Sequence, residues 1–394
     1  MIPAYYEFQN PARILSGTYA LENIAKELQS FGVSRPLLLS DNVLSQIGTV
    51  KILNDALTSC DMPVAATCTD IPADSSIQVV NDIAALYRAS QCDSLIALGG
   101  GSVLDTAKGV GMLISQGSAD LLDLMGCEVL PRGNHVPVIA IPTTSGTGSE
   151  ATMVAVINNP ALRLKMEFIS QYLVPDVAVL DVRMVQTMPP KITASTGMDA
   201  LCHAIEASTC MQRNPLSDAY AYAAMDLIRD NLVAATRNGN DKKARISMAN
   251  ASLLAGCSFS NSMVGLVHAI GHALGGICRV PHGEAMSILL PLCMEYNLRK
   301  LDNEYGELLL HIKGPEVYAS TPRKDRGRAS IDAVRELETQ LHDLCGLPVR
   351  LRDTKARTED FDQVARRAMD DGAMIVNPVQ ADHEEILEIL EKAW

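Results

Sequence analysis

A chain of 394 residues, 47% hydrophobic and 20% charged, holds enough apolar side chains for two domains with large cores. A net charge of −13 leaves no basic stripe for a phosphate backbone, and a 4% aromatic content leaves few rings for bases to stack on, so nucleic-acid binding is excluded. The N-terminus shows no secretory signal, no stretch reaches the roughly 18 apolar residues of a membrane span, and ten scattered cysteines without a C-x-x-C pair point to a reducing, cytoplasmic setting.

Residues 14–33 lead into a helix: LENIAKELQSFG carries apolar positions at helical spacing and Gly32 stops it. PLLLSDN (36–42) reads as a buried parallel strand that ends in Asp41, at the strand end where open α/β sheets place their ligands. VAATC (64–68) is a second strand, SSIQVVNDIAALYRAS (75–90) a helix and SLIAL (94–98) a third strand. That third strand runs directly into Gly99, Gly100, Gly101 and Ser102, followed by a helix. Three glycines let the backbone approach an anion, and the helix start offers free N–H groups and the positive end of its dipole. The spacing is not G-x-G-x-x-G, so taken alone the segment also fits a bare tight turn. Asp105 and Lys108 in that helix read as first-turn and surface charges, with a place facing the cofactor as the alternative for either.

The pattern recurs. PVIAI (137–141) is a strand followed by PTTSGTGSEAT, in which Thr143, Thr144, Ser145, Thr147 and Ser149 surround Gly146 and Gly148. A loop so rich in hydroxyls and glycine can donate to a phosphate, a ribose or an amide; its plainer role is a flexible helix cap. Two such loops after two strands favour a nucleotide. MVAVIN (153–158) and LKMEFI (164–169) read as a hairpin, and VAVLD (177–181) as a last strand. Pro189-Pro190 marks a change of character, which divides the chain into an α/β domain at 1–190 and an all-helical domain at 191–394. In the second half, 217–237, 244–262, 330–346, 359–373 and 383–394 have helical periodicity, and 313–329 reads as an exposed polar connection.

The stretch 199–282 holds four of the eight histidines. Asp199 and His203 in GMDALCHAIEA are four apart, as are His268 and His272 in GLVHAIGHALGG, so each pair shares a helical face. His282 in VPHGEA follows Pro281, at a loop or a helix start. Two helices and a loop can bring one carboxylate and several imidazoles onto one divalent ion, and the donors suit Fe²⁺, Zn²⁺, Mn²⁺ or Co²⁺. A single histidine among apolar residues is more often a satisfied core residue; two spaced pairs are not. Cys202 reads as a small buried residue.

Taken together, GGGSVLDTAKG, PTTSGTGSE, GMDALCHAIEA, GLVHAIGHALGG and PHGEA resemble, in order and spacing, the iron-containing (group III) alcohol dehydrogenase family, over nearly the whole chain. The resemblance implies a dehydroquinate synthase-like fold: an N-terminal Rossmann-like α/β domain and an all-α metal-binding domain, with cofactor and metal in the cleft between them. It implies Asp199, His203, His268 and His282 as metal ligands, and His272 as a catalytic neighbour of the ion. It implies that Gly99, Gly100, Gly101 and Ser102 hold a pyrophosphate, that Thr143, Thr144, Thr147 and Ser149 contact the nucleotide, and that Lys165 lies near it. Asp41 falls where a carboxylate selects NAD over NADP by bonding the ribose hydroxyls and repelling a 2′-phosphate. Fe²⁺ is the implied metal, with Zn²⁺ as the alternative. The implied reaction is reversible hydride transfer between NAD(H) and a short primary alcohol or small diol, in a homo-oligomer of two or more copies. Ser208-Thr209-Cys210 and Leu292-Cys293 depart from the family pattern and bear on substrate size.

Other readings differ in what they explain. A glycerol-type dehydrogenase or a dehydroquinate-synthase-like lyase would share the architecture but generally uses three protein ligands, and His203 supplies a fourth. A structural metal staple needs no nucleotide loops and favours cysteine. A nonhaem oxygenase fits the ligand types but leaves the glycine loops unexplained.

Overall fold

The structure is a computed structural model that describes residues 3–161 and 164–394. The chain forms two compact units, Gln9–Thr187 and Met188–Trp394, and the N-terminal stretch ending at Phe8 groups with the second. The N-terminal stretch thus departs from the expected division at 190, which assigned it to the α/β domain. Among the described residues no helix is long and apolar enough to cross a membrane.

Among the described residues the first unit carries eight strands: β1 (Arg13–Ser16), β2 (Pro36–Leu39), β3 (Ala66–Cys68), β4 (Ser94–Gly99), β5 (Val138–Pro142), β6 (Val154–Asn159), β7 (Leu164–Ile169) and β8 (Val177–Leu180). Its helices are α1 (Ile24–Ser30), α2 (Asn42–Gln46), α3 (Thr49–Ser59), α4 (Ile77–Ala89), α5 (Gly101–Ser115) and α6 (Val182–Val185). Six strands form a parallel sheet in the order β1-β8-β5-β4-β2-β3. The near-continuous apolar runs of β2 and β4 follow from burial on both faces. Leu37, Leu39, Leu95 and Ala97 pack into one core with Val80, Val103 and Val110, whereas Leu38, Ile96 and Leu98 face the opposite core with Leu28, Leu53 and Leu57. Strand β2 neighbours both β3 and β4, so the chain reverses its direction across the sheet between β2 and β4. Such a switch point is where the carboxyl ends of open sheets bind ligands.

The expected hairpin is present: β6 and β7 pair antiparallel from Val154↔Ile169 to Asn159↔Leu164. Residues 13–16, which were not expected to be a strand, pair with β8 at the sheet edge, and their mostly exposed side chains explain why no apolar run announced them.

The second unit is helical: α7 (Pro190–Thr209), α8 (Pro215–Arg237), α9 (Lys242–Ser260), α10 (Leu266–Cys278), α11 (His282–Lys313), α12 (Pro315–Ser320), α13 (Arg326–Cys345), α14 (Phe361–Met369), α15 (Gly372–Val376) and α16 (His383–Ala393). The polar connection expected over 313–329 is largely exposed, yet it folds into α12 and the start of α13. Glycines set the spacing of the helices that carry the histidines. A Cβ on Gly271 of α10 would lie 1.8 Å from Met286 Cε of α11, and one on Gly283 of α11 would lie 2.5 Å from the Ser195 carbonyl oxygen of α7. At 283 only glycine lets α11 come this close to the α7 backbone, whereas at 271 the neighbour is the flexible tip of Met286.

Candidate metal centre and nucleotide loops

In the helical unit, α7 presents Asp199 and His203 one turn apart, α10 presents His268, and α11 opens on His282, with Pro281 at its N-cap. Asp199 Oδ1 lies 3.3 Å from His282 Nε2, 3.8 Å from His268 Nε2 and 3.9 Å from His203 Nε2. One ligand atom from each of the four residues lies within 4.8 Å of the others. The set is buried except for His282, whose side chain is 35% exposed. His203 is stacked between Phe259 and His268, at ring separations of 4.3 and 4.6 Å, which fixes its plane.

The electrostatics suit a cation. Burial lowers His203 to about 3 and His268 well below the usual imidazole range, so both are neutral and carry lone pairs at pH 7. Burial pushes the Asp199 carboxyl up, but the imidazoles of His203, His282 and His268 outweigh it and hold the group below its ordinary range. Asp199 Oδ1 and His268 Nε2 are buried and have no hydrogen-bond partner among the described residues. A buried carboxylate oxygen in that state costs on the order of several kcal/mol unless a positive charge meets it. One carboxylate and three imidazoles around a common point fit Fe²⁺ or Zn²⁺.

Two supporting carboxylates had gone unnoticed in the sequence. His268 Nδ1 pairs with Glu206 Oε2 at 2.6 Å, and the Val267 N–H donates to Glu206 Oε1 at 2.7 Å. The contact fixes the tautomer that leaves Nε2 for a metal. Glu206 lies three residues after His203 and seven after Asp199, on the same helical face, so the signal was there to read. His272 does not join the four; its ring is 5.6 Å from that of His282 and 5.7 Å from that of His268. Its Nδ1 pairs with Asp371 Oδ2 at 2.9 Å, a partner 99 residues away with no local signal. Cys202 is buried, its Sγ 3.8 Å from His268 Nδ1.

In the α/β unit the two loops meet. Gly100 faces Thr144 and Gly101 faces Thr147: added Cβ atoms would lie 3.3 and 3.0 Å from the threonine methyls. The Thr143 N–H donates to the Gly99 carbonyl at 3.0 Å, which locks the ends of β4 and β5 together. Gly100 is the N-cap of α5 and makes no side-chain cap, as an anion cradle requires. Asp41 stands at the end of β2, where its Oδ1 caps α2 through the Leu44 N–H at 2.9 Å.

Two of the candidate nucleotide contacts, Ser149 and Lys165, have partners within the chain, and Lys108 differs from expectation. The Ser149 hydroxyl is buried and donates to Asp105 Oδ1 at 2.6 Å. Lys165 Nζ pairs with Asp74 Oδ1 at 2.6 Å, and the Asp74 N–H donates to Ser102 Oγ at 3.1 Å, so Lys165 reaches the glycine loop through Asp74. Lys108 is not a surface charge: it is 2% exposed and donates to Thr152 Oγ1 and the Val154 carbonyl at 2.9 and 2.8 Å, because β6 covers α5. Burial lowers Lys108 to about 8. Burial also raises Glu150 to about 7, and its Oε1 has no hydrogen-bond partner among the described residues.

The chain matches the family model described as iron-containing alcohol dehydrogenase over residues 11–182, and that described as Fe-containing alcohol dehydrogenase family, C-terminal, over residues 193–394. It is 33% identical over 389 residues to alcohol dehydrogenase 4 of Saccharomyces cerevisiae, covering 98% of each chain. It is 32% identical over 390 residues to the NAD-dependent methanol dehydrogenase of Bacillus methanolicus, covering 98% of this chain and 99% of that one. A crystal structure of 1,3-propanediol oxidoreductase superposes with a TM-score of 0.93 at 32% identity, covering 99% of this chain and 100% of that chain.

Replacing Glu206, whose carboxyl burial raises to about 7, by Gln removes the acid group behind His268 and is expected to weaken Zn²⁺ or Fe²⁺ binding by roughly 10- to 100-fold in a chelator competition; unchanged affinity would remove Glu206 from the centre. A pH effect follows from Glu150. Its folded pKa of about 7 exceeds the ordinary 4.5, so its contribution to stability is fully present below about 4.5 and is lost as pH rises through 7. Relative to the parent, Glu150→Gln should therefore gain roughly 1–3 kcal/mol in urea unfolding between pH 5 and pH 9. The same difference at both pH values would refute the buried titration.

Proposed function

The chain belongs to the iron-containing alcohol dehydrogenase family, and on that premise we propose that it interconverts a short primary alcohol or small diol with its aldehyde, using NAD(H) and Fe²⁺. The observation that carries this reading is the convergence of three imidazole nitrogens on the buried Asp199 Oδ1. The names of the relatives, a methanol dehydrogenase and a 1,3-propanediol oxidoreductase among them, support small alcohols and diols.

When bound, Fe²⁺ supplies Lewis acidity towards the alcohol oxygen and NAD supplies the hydride acceptor. The chain's own residues do the rest. Asp199, His203, His268 and His282 hold the ion, and Zn²⁺ fits the same donors. Glu206 orients His268, and His272 handles the proton beside the ion. Gly99, Gly100 and Gly101, with the start of α5, cradle the pyrophosphate, and Ser102 adds a hydroxyl. Thr143, Thr144 and Thr147 line the nucleotide side of the second loop. Ser149 and Lys165 act on the nucleotide indirectly: Ser149 pins its loop to Asp105, and Lys165 holds Asp74 against Ser102. Asp41 selects NAD by accepting from the ribose hydroxyls and repelling a 2′-phosphate. The same reading carries a homo-oligomer of two or more copies at work in the cytoplasm, and the ten free cysteines agree with a reducing compartment.

The test is anaerobic oxidation of NADH with a panel of short aldehydes, on metal-stripped protein given back Fe²⁺ or Zn²⁺. Activity should return with Fe²⁺ and be stronger with NADH than with NADPH. In Asp41→Ser the preference should shift towards NADPH by roughly tenfold in kcat/KM, about 1.4 kcal/mol. No turnover of any aldehyde by metal-loaded protein would overturn the reading.

A further inference from the structure

His272 is the one histidine of the cluster that stands outside the four converging donors, and the structure gives it an elaborate support. Its Nδ1 faces Asp371 Oδ2 at 2.9 Å. The other oxygen of the same carboxylate accepts from the Ala373 N–H at 2.9 Å and caps α15, so the Asp371 side chain is fixed at both oxygens. At the far end of that short helix, Asn377 Oδ1 accepts from the N–H of Leu266, the first residue of α10, at 3.2 Å. Asn377 is itself held by reciprocal amide bonds with Asn297 of α11, at 3.1 and 3.0 Å. Residues 371–377 therefore grip α10 twice, at its first residue and at His272 one turn beyond His268. Gly265 makes the first grip possible, since a Cβ there would lie 2.9 Å from Asn377 Oδ1.

We propose that Asp371 is a positioning residue that fixes His272 with its ring hydrogen on Nδ1, so that Nε2 carries the lone pair that accepts the alcohol proton. The proposal rests on the alcohol dehydrogenase reading above. Asp371 is mostly buried, and although burial pushes its carboxyl up, the bond to His272 outweighs that and holds it below the ordinary range, so it acts as an ionised acceptor. In the oxidation direction the alcohol O–H bond breaks and its proton goes to Nε2. The carbinol C–H bond breaks with both electrons, and the hydride goes to nicotinamide C4. Alcohol and NAD⁺ thus become aldehyde, NADH and one proton, which leaves His272 for solvent; the His272 side chain is 22% exposed. Asp371 takes no proton itself. It sets which ring nitrogen can.

Asp371→Asn tests this with little change in shape. Asparagine caps helices as well as aspartate, so α15 keeps its cap through the amide oxygen. The amide NH₂ then faces Nδ1 as a donor, which drives the ring hydrogen to Nε2 and removes the acceptor, as a wrong tautomer does in other histidine–carboxylate pairs. In ¹⁵N-histidine spectra of the metal-free protein, His272 should show hydrogen on Nδ1 in the parent and on Nε2 in the variant. In the metal-loaded enzyme, kcat should fall by about 100-fold, with KM for alcohol and NAD and the Zn²⁺ affinity changed by less than about threefold. In a His272→Gln background the same substitution should change kcat by less than about twofold, because the two residues act as a unit. Hydrogen on Nε2 in the parent, an unchanged kcat, or the full loss recurring in the His272→Gln background would each overturn the proposal. If Asp371→Asn does not fold, Asp371→Ser keeps a helix cap, removes the carboxylate from His272, and is held to the same coupling criterion. A parent enzyme that turns over no alcohol sinks the functional reading instead, and the spectra still decide the tautomer.

Discussion

A buried carboxylate oxygen, Asp199 Oδ1, with three imidazole nitrogens between 3.3 and 3.9 Å away and no hydrogen bond among the described residues, is the constraint on which the helical unit depends. Interiors tolerate such a charge only beside a cation or donors aimed at it. Two of the imidazoles cannot serve as that cation, because burial holds His203 and His268 neutral. The four donor atoms lie close enough together to hold one metal ion. Around it the sequence supplies close packing: glycine at 283 lets α11 and α7 approach backbone to backbone beside the donors. Behind it, Glu206 and Asp371 hold the two histidines of α10 by their Nδ1 atoms. The donor atoms are set by helix packing and by carboxylates one step removed, a rigid arrangement suited to repeated turnover.

The α/β unit presents backbone in place of side chains: a strand end, three glycines and an uncapped helix start, with Thr144 and Thr147 packed over the glycines. Next in the same helix and loop come the half-buried Asp105 and the buried Lys108 and Glu150. Ser149 and the Val156 N–H satisfy Asp105, and Thr152 and the Val154 carbonyl satisfy Lys108. These bonds tie the hydroxyl loop to α5 and to the hairpin, so the loop keeps its shape despite its glycine content.

Much of this was legible in the sequence because the residues that matter are close together in it. The strand–glycine–helix transition at 94–115 and the i,i+4 pairs on α7 and α10 are local patterns, and the structure realises each as a strand end or a helical face. What escaped was set by contacts distant in the chain. Strand β1 forms because β8 offers it an edge. Lys108 is interior because β6 covers it, although its neighbours alone suggested solvent. Asp371 meets His272 across 99 residues, which no periodicity reveals. Glu206 is the exception: its spacing from Asp199 and His203 was visible, and it went unread because a glutamate on a helix is ordinarily a solvated charge.

The central claim is tested most directly by a crystal structure of protein soaked anaerobically with Fe²⁺, with anomalous differences measured at the iron edge. The account predicts one strong peak in the helical unit, bonded at about 2.0–2.2 Å to an Asp199 oxygen and to the Nε2 atoms of His203, His268 and His282, with His272 outside that shell. A peak elsewhere, or one that leaves Asp199 Oδ1 unbound, would contradict it.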